Sequence, residues 1–179
     1  MLAAVGGGRW IYTSNGAGTV SELDVVNGRR TRILDVAPQL EAITVTRDGR
    51  EVWVGSNERG TVSVVNTQTG AVEETIPGFS WPYRILITPD NSLAIIPDLR
   101  LHTVRFFDRG TKRELEVLEM PGAGPQGLTL GGDSRTLYLS LNQQDRVAVI
   151  DLETRMVTRY IETGAGPDGI VYSPLVSIR

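Results

Sequence analysis

The chain of 179 residues has no cysteine, which excludes disulfides and thiolate metal sites. It has a single histidine, His102, too few imidazoles for a zinc site built without thiolates. No run approaches the roughly 18 apolar residues of a membrane-spanning helix, so no membrane insertion is expected. The Gly-rich opening, Met1 to Arg9, lacks the basic and then apolar regions of a signal peptide. Charge of one sign is missing too. Eighteen basic residues stand against 21 acidic ones, for a net charge of −3. Without a basic stripe to track phosphates, no nucleic-acid partner is expected. No spaced Asp-x-Asp-x-Asp-Gly loop offers a calcium cage, and no Gly-x-Ser-x-Gly elbow offers an acyl-transfer nucleophile. Paired catalytic carboxylates are absent as well. The sequence therefore points to no catalytic residue, no metal and no cofactor.

What the chain does have is turn formers and strand formers. Twenty glycines and nine prolines punctuate segments rich in Val, Ile and Thr. Four of these segments align: Thr19-Val-Ser-Glu-Leu-Asp24, Thr61-Val-Ser-Val-Val-Asn66, Thr103-Val-Arg-Phe-Phe-Asp108 and Arg146-Val-Ala-Val-Ile-Asp151. Their starts are 42, 42 and 43 residues apart. Each follows a second apolar segment (Trp10-Ile-Tyr-Thr, Val52-Trp-Val-Gly, Leu93-Ala-Ile-Ile, Leu137-Tyr-Leu-Ser). Turn chemistry comes next, as at Asn27-Gly28, Thr69-Gly70 and Arg109-Gly110, and then a third strand. Pro38, Pro82, Pro125 and Pro167 introduce a fourth, and Asp48-Gly49, Asp90-Asn91 and Asp133-Ser134 return the chain to the next unit.

Each unit reads as a four-stranded antiparallel meander with no helical segment in it. Val62, Val64 and Val65 make both faces apolar, so both faces must be covered, and stacking around an axis covers both. The expected fold is all-β: a β-propeller of four blades of about 42 residues. The repeats fall approximately at 1–40, 41–83, 84–126 and 127–168, with an extra terminal strand over 169–179, all in one domain. A sandwich or solenoid has no reason to keep this register.

That register accounts for two sets of residues that would otherwise look chemical. Gly122-Ala-Gly124-Pro-Gln-Gly127 and Gly164-Ala-Gly166-Pro-Asp-Gly169 spell a dinucleotide-binding pattern. That pattern needs a helix opening at its last glycine, and here a strand follows each time. The recurrent Asp24, Asp108, Asp151 and Asp48, Asp90, Asp133 each hold one repeat position, as turn caps do.

Trp10-Ile-Tyr-Thr-Ser-Asn, Val52-Trp-Val-Gly-Ser-Asn, Gly60-Thr-Val-Ser-Val-Val-Asn-Thr-Gln-Thr-Gly70 and Leu86-Ile-Thr-Pro-Asp90 resemble the YVTN family of β-propeller repeats over nearly the whole chain. The resemblance implies a secreted or periplasmic setting. It extends to surface-layer proteins and to propellers of redox enzymes, such as the haem d1 domain and the amine dehydrogenase large chain, so it leaves function open.

Propellers of that kind usually have seven blades, and this chain supplies four. Three arrangements fit: a closed four-blade monomer, a homodimer completing an eight-bladed ring, or a sequence that continues further. Glu22 stands where the other blades have Val64, Phe106 and Val149, and is expected to mark an uncovered seam.

Blade 3 departs most from its siblings. Its loop before the innermost strand reads Ser80-Trp81-Pro82-Tyr83-Arg84. Its loop between the second and third strands reads Pro97-Asp98-Leu99-Arg100-Leu101-His102, with His102 replacing the glycine of Gly18 and Gly60. Both loops project from one end of one blade. The candidate ligand-binding residues are therefore Trp81, Tyr83, Arg84, Asp98, Arg100 and His102. Aromatic area beside guanidinium forks suits a protein or small anionic partner. The blander reading has the aromatics packed between blades, Arg84 paired with Asp98, and His102 in solvent. Trp10 and Trp53 are expected in the core. The expected function is a non-catalytic binding scaffold. The alternatives are the propeller of a redox-cofactor enzyme, a lactonase-like hydrolase, or a structural surface repeat.

Overall fold

The computed structural model describes residues 1–5 and 7–175. It is all-β apart from one short 3₁₀ turn, Asn142–Gln144. Sixteen strands form four antiparallel sheets, each built from four strands consecutive in the chain. Blade 1 comprises β1 (Leu2–Ala4), β2 (Trp10–Ser14), β3 (Thr19–Asp24) and β4 (Arg29–Asp35). Blade 2 comprises β5 (Leu40–Val45), β6 (Glu51–Ser56), β7 (Thr61–Asn66) and β8 (Val72–Ile76). Blade 3 comprises β9 (Leu86–Ile87), β10 (Leu93–Asp98), β11 (Thr103–Asp108) and β12 (Glu114–Glu119). Blade 4 comprises β13 (Pro125–Leu130), β14 (Thr136–Leu141), β15 (Arg146–Asp151) and β16 (Met156–Glu162).

The meander follows from turn chemistry. Asp24, Asn66, Asp108 and Asp151 each receive backbone amides from the two to three residues that follow, closing the turn into the outermost strand. Each of those turns ends on a residue in the left-handed region: Gly28, Gly70, Lys112 and Arg155, with φ of 61°, 78°, 61° and 55°. A bulge then falls at one place in every blade, between Glu22/Leu23, Val64/Val65, Phe106/Phe107 and Val149/Ile150.

Alternation along the strands gives every blade two apolar faces, and consecutive blades share three seams. The first packs Tyr12, Val20 and Leu34 against Ile43, Val52, Val54 and Val65. The second packs Trp53, Val62 and Val64 against Ala94, Ile96 and Phe107. The third packs Ile95, Val104 and Phe106 against Leu137, Leu139, Ala148 and Ile150. Each fully buried aliphatic or aromatic side chain contributes about 1.5–3 kcal/mol. Trp53 is fully buried as expected, whereas Trp10 is only half-buried.

Two expectations need correcting. Glu22 does not mark an uncovered seam. It is buried within the first one, where Tyr12, Thr31 and Arg32 all donate to its carboxylate. Arg32 also reaches the Thr67 and Gln68 carbonyls of blade 2. A carboxylate can sit in this apolar position because the neighbouring outer strand brings its counter-charge.

The expected extra terminal strand is not formed over 169–175 either. Residues 169–175 join no ladder, and 176–179 lie outside the described residues. The segment nevertheless follows the course of an innermost strand. A Cβ on Gly127 would meet the Asp168 carbonyl oxygen at 2.1 Å, and one on Gly132 would meet the Tyr172 hydroxyl at 3.0 Å. Residues 168–172 thus run alongside β13. They lack only a second strand of their own to bond to.

Candidate functional site

In these meanders the loops between second and third strands share one end of the fan with the loops that connect one blade to the next. At blade 3 the two loops are bound together by their backbones. Leu99 donates its amide to the Trp81 carbonyl, and Tyr83 donates to that of Pro97, both at 3.0 Å.

Asp98 is the centre of that junction. It is fully buried, and its carboxylate accepts the amides of Ser80 (2.6 Å), Trp81 (3.1 Å), Arg100 (3.1 Å) and Leu101 (2.9 Å). A buried carboxylate is tolerated when its lone pairs are filled in this way. Asp98 therefore holds the other candidates in place and offers nothing outward.

The remaining five separate into three groups. Trp81 and Arg100 form the first. The Arg100 guanidinium lies 4.2 Å from the centre of the Trp81 ring, and the indole Nε1 donates to Glu41 Oε2 at 3.0 Å. Asn57 donates its amide to the same Glu41 oxygen. These residues, with Gln39, Leu40 and Glu58, line an open cavity of about 400 Å³ between blades 2 and 3. Arg100 is exposed and has no carboxylate partner among the described residues.

Tyr83 and Arg84 form the second group, turned towards the innermost strands. The Arg84 guanidinium stacks 4.4 Å from the Tyr83 ring centre and reaches Asp168 at 3.9 Å. Tyr83 also donates its hydroxyl to Asp168, at 3.3 Å. Burial, and then the Asp168 charge, push the Tyr83 phenol above its ordinary value. Arg84 does not pair with Asp98; its partner Asp168 comes from the segment that follows blade 4.

His102 stands alone. It adopts φ of +55°, and its Nδ1 accepts the Gly124 amide at 3.1 Å. At the corresponding position of blade 4, Asp145 (φ +52°) accepts the Gly166 amide at 2.9 Å. Gly60 has no room for either solution, because a Cβ there would meet the Phe79 carbonyl oxygen at 2.2 Å. His102 thus braces a loop in the manner of Asp145.

Glu41, Asn57 and Asp168 belong to the region and escaped the sequence reading. Glu41 and Asp168 share the repeat position of Tyr83 and Gln126, which is the one signal that could have drawn attention to them. Among the described residues no group of three or more His, Cys, Asp or Glu could hold a metal ion. No helix among them is long and apolar enough to cross a membrane.

The fold and this loop-built end define an all-β, propeller-type array. No protein-family model matches the chain, and no curated protein does. Among solved structures, 1396 chains match, so the architecture alone assigns no function. One of them is titled Kuenenia stuttgartiensis hydrazine synthase. It matches with a TM-score of 0.84 and 25% identity over 89% of this chain and 47% of that one. This chain thus spans about half the length of that relative.

Proposed function

We propose that the protein is a non-catalytic propeller scaffold of the YVTN type that binds a protein or small anionic ligand at the blade 3 end of the fan. One observation carries this reading: the Arg100 guanidinium sits over the Trp81 ring with no carboxylate partner among the described residues, at the rim of a cavity. A guanidinium held over an aromatic ring, with no side-chain hydrogen bond of its own among the described residues, is preorganised for a carboxylate or phosphate. Arg84 contributes less, since Asp168 already takes part of its charge.

Calorimetric titration of the protein with succinate, citrate and inorganic phosphate tests the small-ligand form of this reading. Saturable binding that weakens with added salt supports it. No heat with any of the three, and no partner bound through this end, overturns it.

A second reading, a domain of an enzyme, is favoured by the likeness to a hydrazine synthase chain of about twice the length. It requires a cofactor spectrum or stoichiometric metal in the purified protein, and a colourless, metal-free preparation counts against it.

A further inference from the structure

The cavity at Trp81 and Arg100 carries both signs of charge. Blade 3 brings the Arg100 guanidinium to it, and blade 2 brings the carboxylates of Glu41 and Glu58. Glu41 lies on β5, the innermost strand of blade 2, and Glu58 lies in the loop between β6 and β7. One guanidinium against two carboxylates leaves the lining with an excess of negative charge. A ligand that brought only carboxylates would satisfy Arg100 and meet like charge on the facing side.

The acceptors of blade 2 are not used up. Glu41 Oε2 receives the Trp81 indole and the Asn57 amide. Its other oxygen receives no donor among the described residues, and neither does the exposed carboxylate of Glu58. The Asn57 amide oxygen beside them is buried and without a partner as well. Trp81 stands between the opposite charges. The Arg100 guanidinium lies 4.2 Å from its ring centre, and Glu41 Oε2 lies 3.0 Å from its Nε1. Cation and nearest anion are thus held apart by one indole ring, a span that two charged groups of one small molecule can bridge.

The next seam is furnished differently. The loop between the second and third strands of blade 4 has the same length as that of blade 3. Gly124 and Gln143 hold the places of Trp81 and Arg100 there, and they close on each other: a Cβ on Gly124 would meet Gln143 Cγ at 2.8 Å. Across from them, Tyr83, Leu99 and Arg100 hold the places of Glu41, Asn57 and Glu58. The indole, the guanidinium and the two facing carboxylates therefore belong to the seam of blades 2 and 3, and no repeat-wide need for packing explains them.

We infer that this cavity takes an amino acid, a carboxylate with an ammonium group a few bonds away. The carboxylate sits on Arg100, and the ammonium sits between Glu41 and Glu58. This ligand class rests on the proposed site at the blade 3 end and narrows what that site takes. An ammonium there gains charge-assisted hydrogen bonds that a plain carboxylate has no means to make.

Calorimetric titration with succinate and with L-aspartate tests this, because the two differ only by the ammonium that replaces a hydrogen on one carbon. The expected result is binding of L-aspartate about tenfold tighter than that of succinate, the worth of one charge-assisted hydrogen bond. Glu58→Gln alters an exposed side chain and leaves the circular dichroism spectrum unchanged. It narrows the preference to less than about threefold, by weakening L-aspartate and strengthening succinate. Arg100→Ala weakens both ligands. Succinate bound as tightly as L-aspartate, or a preference that Glu58→Gln leaves intact, overturns the inference while the proposed site stands. No heat with either ligand, or binding indifferent to Arg100→Ala, overturns it together with the small-ligand form of the proposed function.

Discussion

Tyr12 donates its hydroxyl to a carboxylate oxygen of Glu22 at 2.9 Å, inside the seam between the first two blades. Burial raises the Tyr12 phenol above its ordinary value, and the neighbouring Glu22 charge raises it further. Burial alone would raise the Glu22 carboxyl as well, but donors from Arg32, Thr31 and Tyr12 together hold it below its usual range. The other seams manage with apolar side chains at this position. Glu22→Ala strands Tyr12 and Arg32 without an acceptor and costs about 2–3 kcal/mol, below the figure for a fully buried pair because Arg32 is about one-third exposed. The triple change Tyr12→Phe, Glu22→Val, Arg32→Val copies the apolar solution and is neutral or stabilising. Urea denaturation of both variants checks the contrast.

A second expectation concerns Asp98. Asp98→Asn keeps one acceptor oxygen and turns the other into an amide that faces backbone donors. With four amides bound to the carboxylate, the loss is about 2–3 kcal/mol. Amide hydrogen exchange at Ser80, Trp81 and Leu101 reads it directly. These three amides accelerate in the variant, while those of Val62 and Val64 in the second seam stay protected.

The turn-capping aspartates set the response to acid. In the fold, the Thr136 hydroxyl and the Thr136 and Arg135 amides lower Asp133 from its ordinary 3.8 to about 2. Arg9 and Asn27 lower Asp24 to about 2. Asp48, Asp90, Asp108 and Asp151 are lowered too, chiefly by hydroxyl or amide donors of their own turns. Because the folded values lie below the unfolded ones, the unfolded chain binds more protons in this range. The stabilisation is complete above about pH 4 and is lost as pH falls towards about 2. Melting temperature drops across that window, and Asp133→Asn makes the drop shallower.

Much of the fold was legible because the repeat is preserved in turn chemistry as well as in hydrophobic pattern. Asp24, Asp108 and Asp151 announced their turns, and the left-handed turn residues kept the same spacing. Blade 3's loops were legible as departures from that pattern, but their partners were not. Arg84 meets Asp168 from beyond the last blade, and Trp81 meets Glu41 of the blade before its own. Those approaches depend on how blades stack, which no local spacing records. Glu22 misled for the same reason. Its position was right and its surroundings were hidden, because Arg32 and the blade 2 carbonyls reach it only once the blades pack. The terminal segment had the composition of a strand, and a strand forms only against a partner.

The central claim is that the half-buried Trp81 with the exposed Arg100, and not the braced Tyr83–Arg84–Asp168 cluster, recognises the ligand. Comparing Arg100→Ala with Arg84→Ala in calorimetric titrations of citrate tests it most directly. The account predicts at least about a tenfold loss of affinity for Arg100→Ala, the cost of removing one charge-assisted hydrogen bond, and a change of less than about threefold for Arg84→Ala. Full affinity in Arg100→Ala together with loss in Arg84→Ala would contradict it.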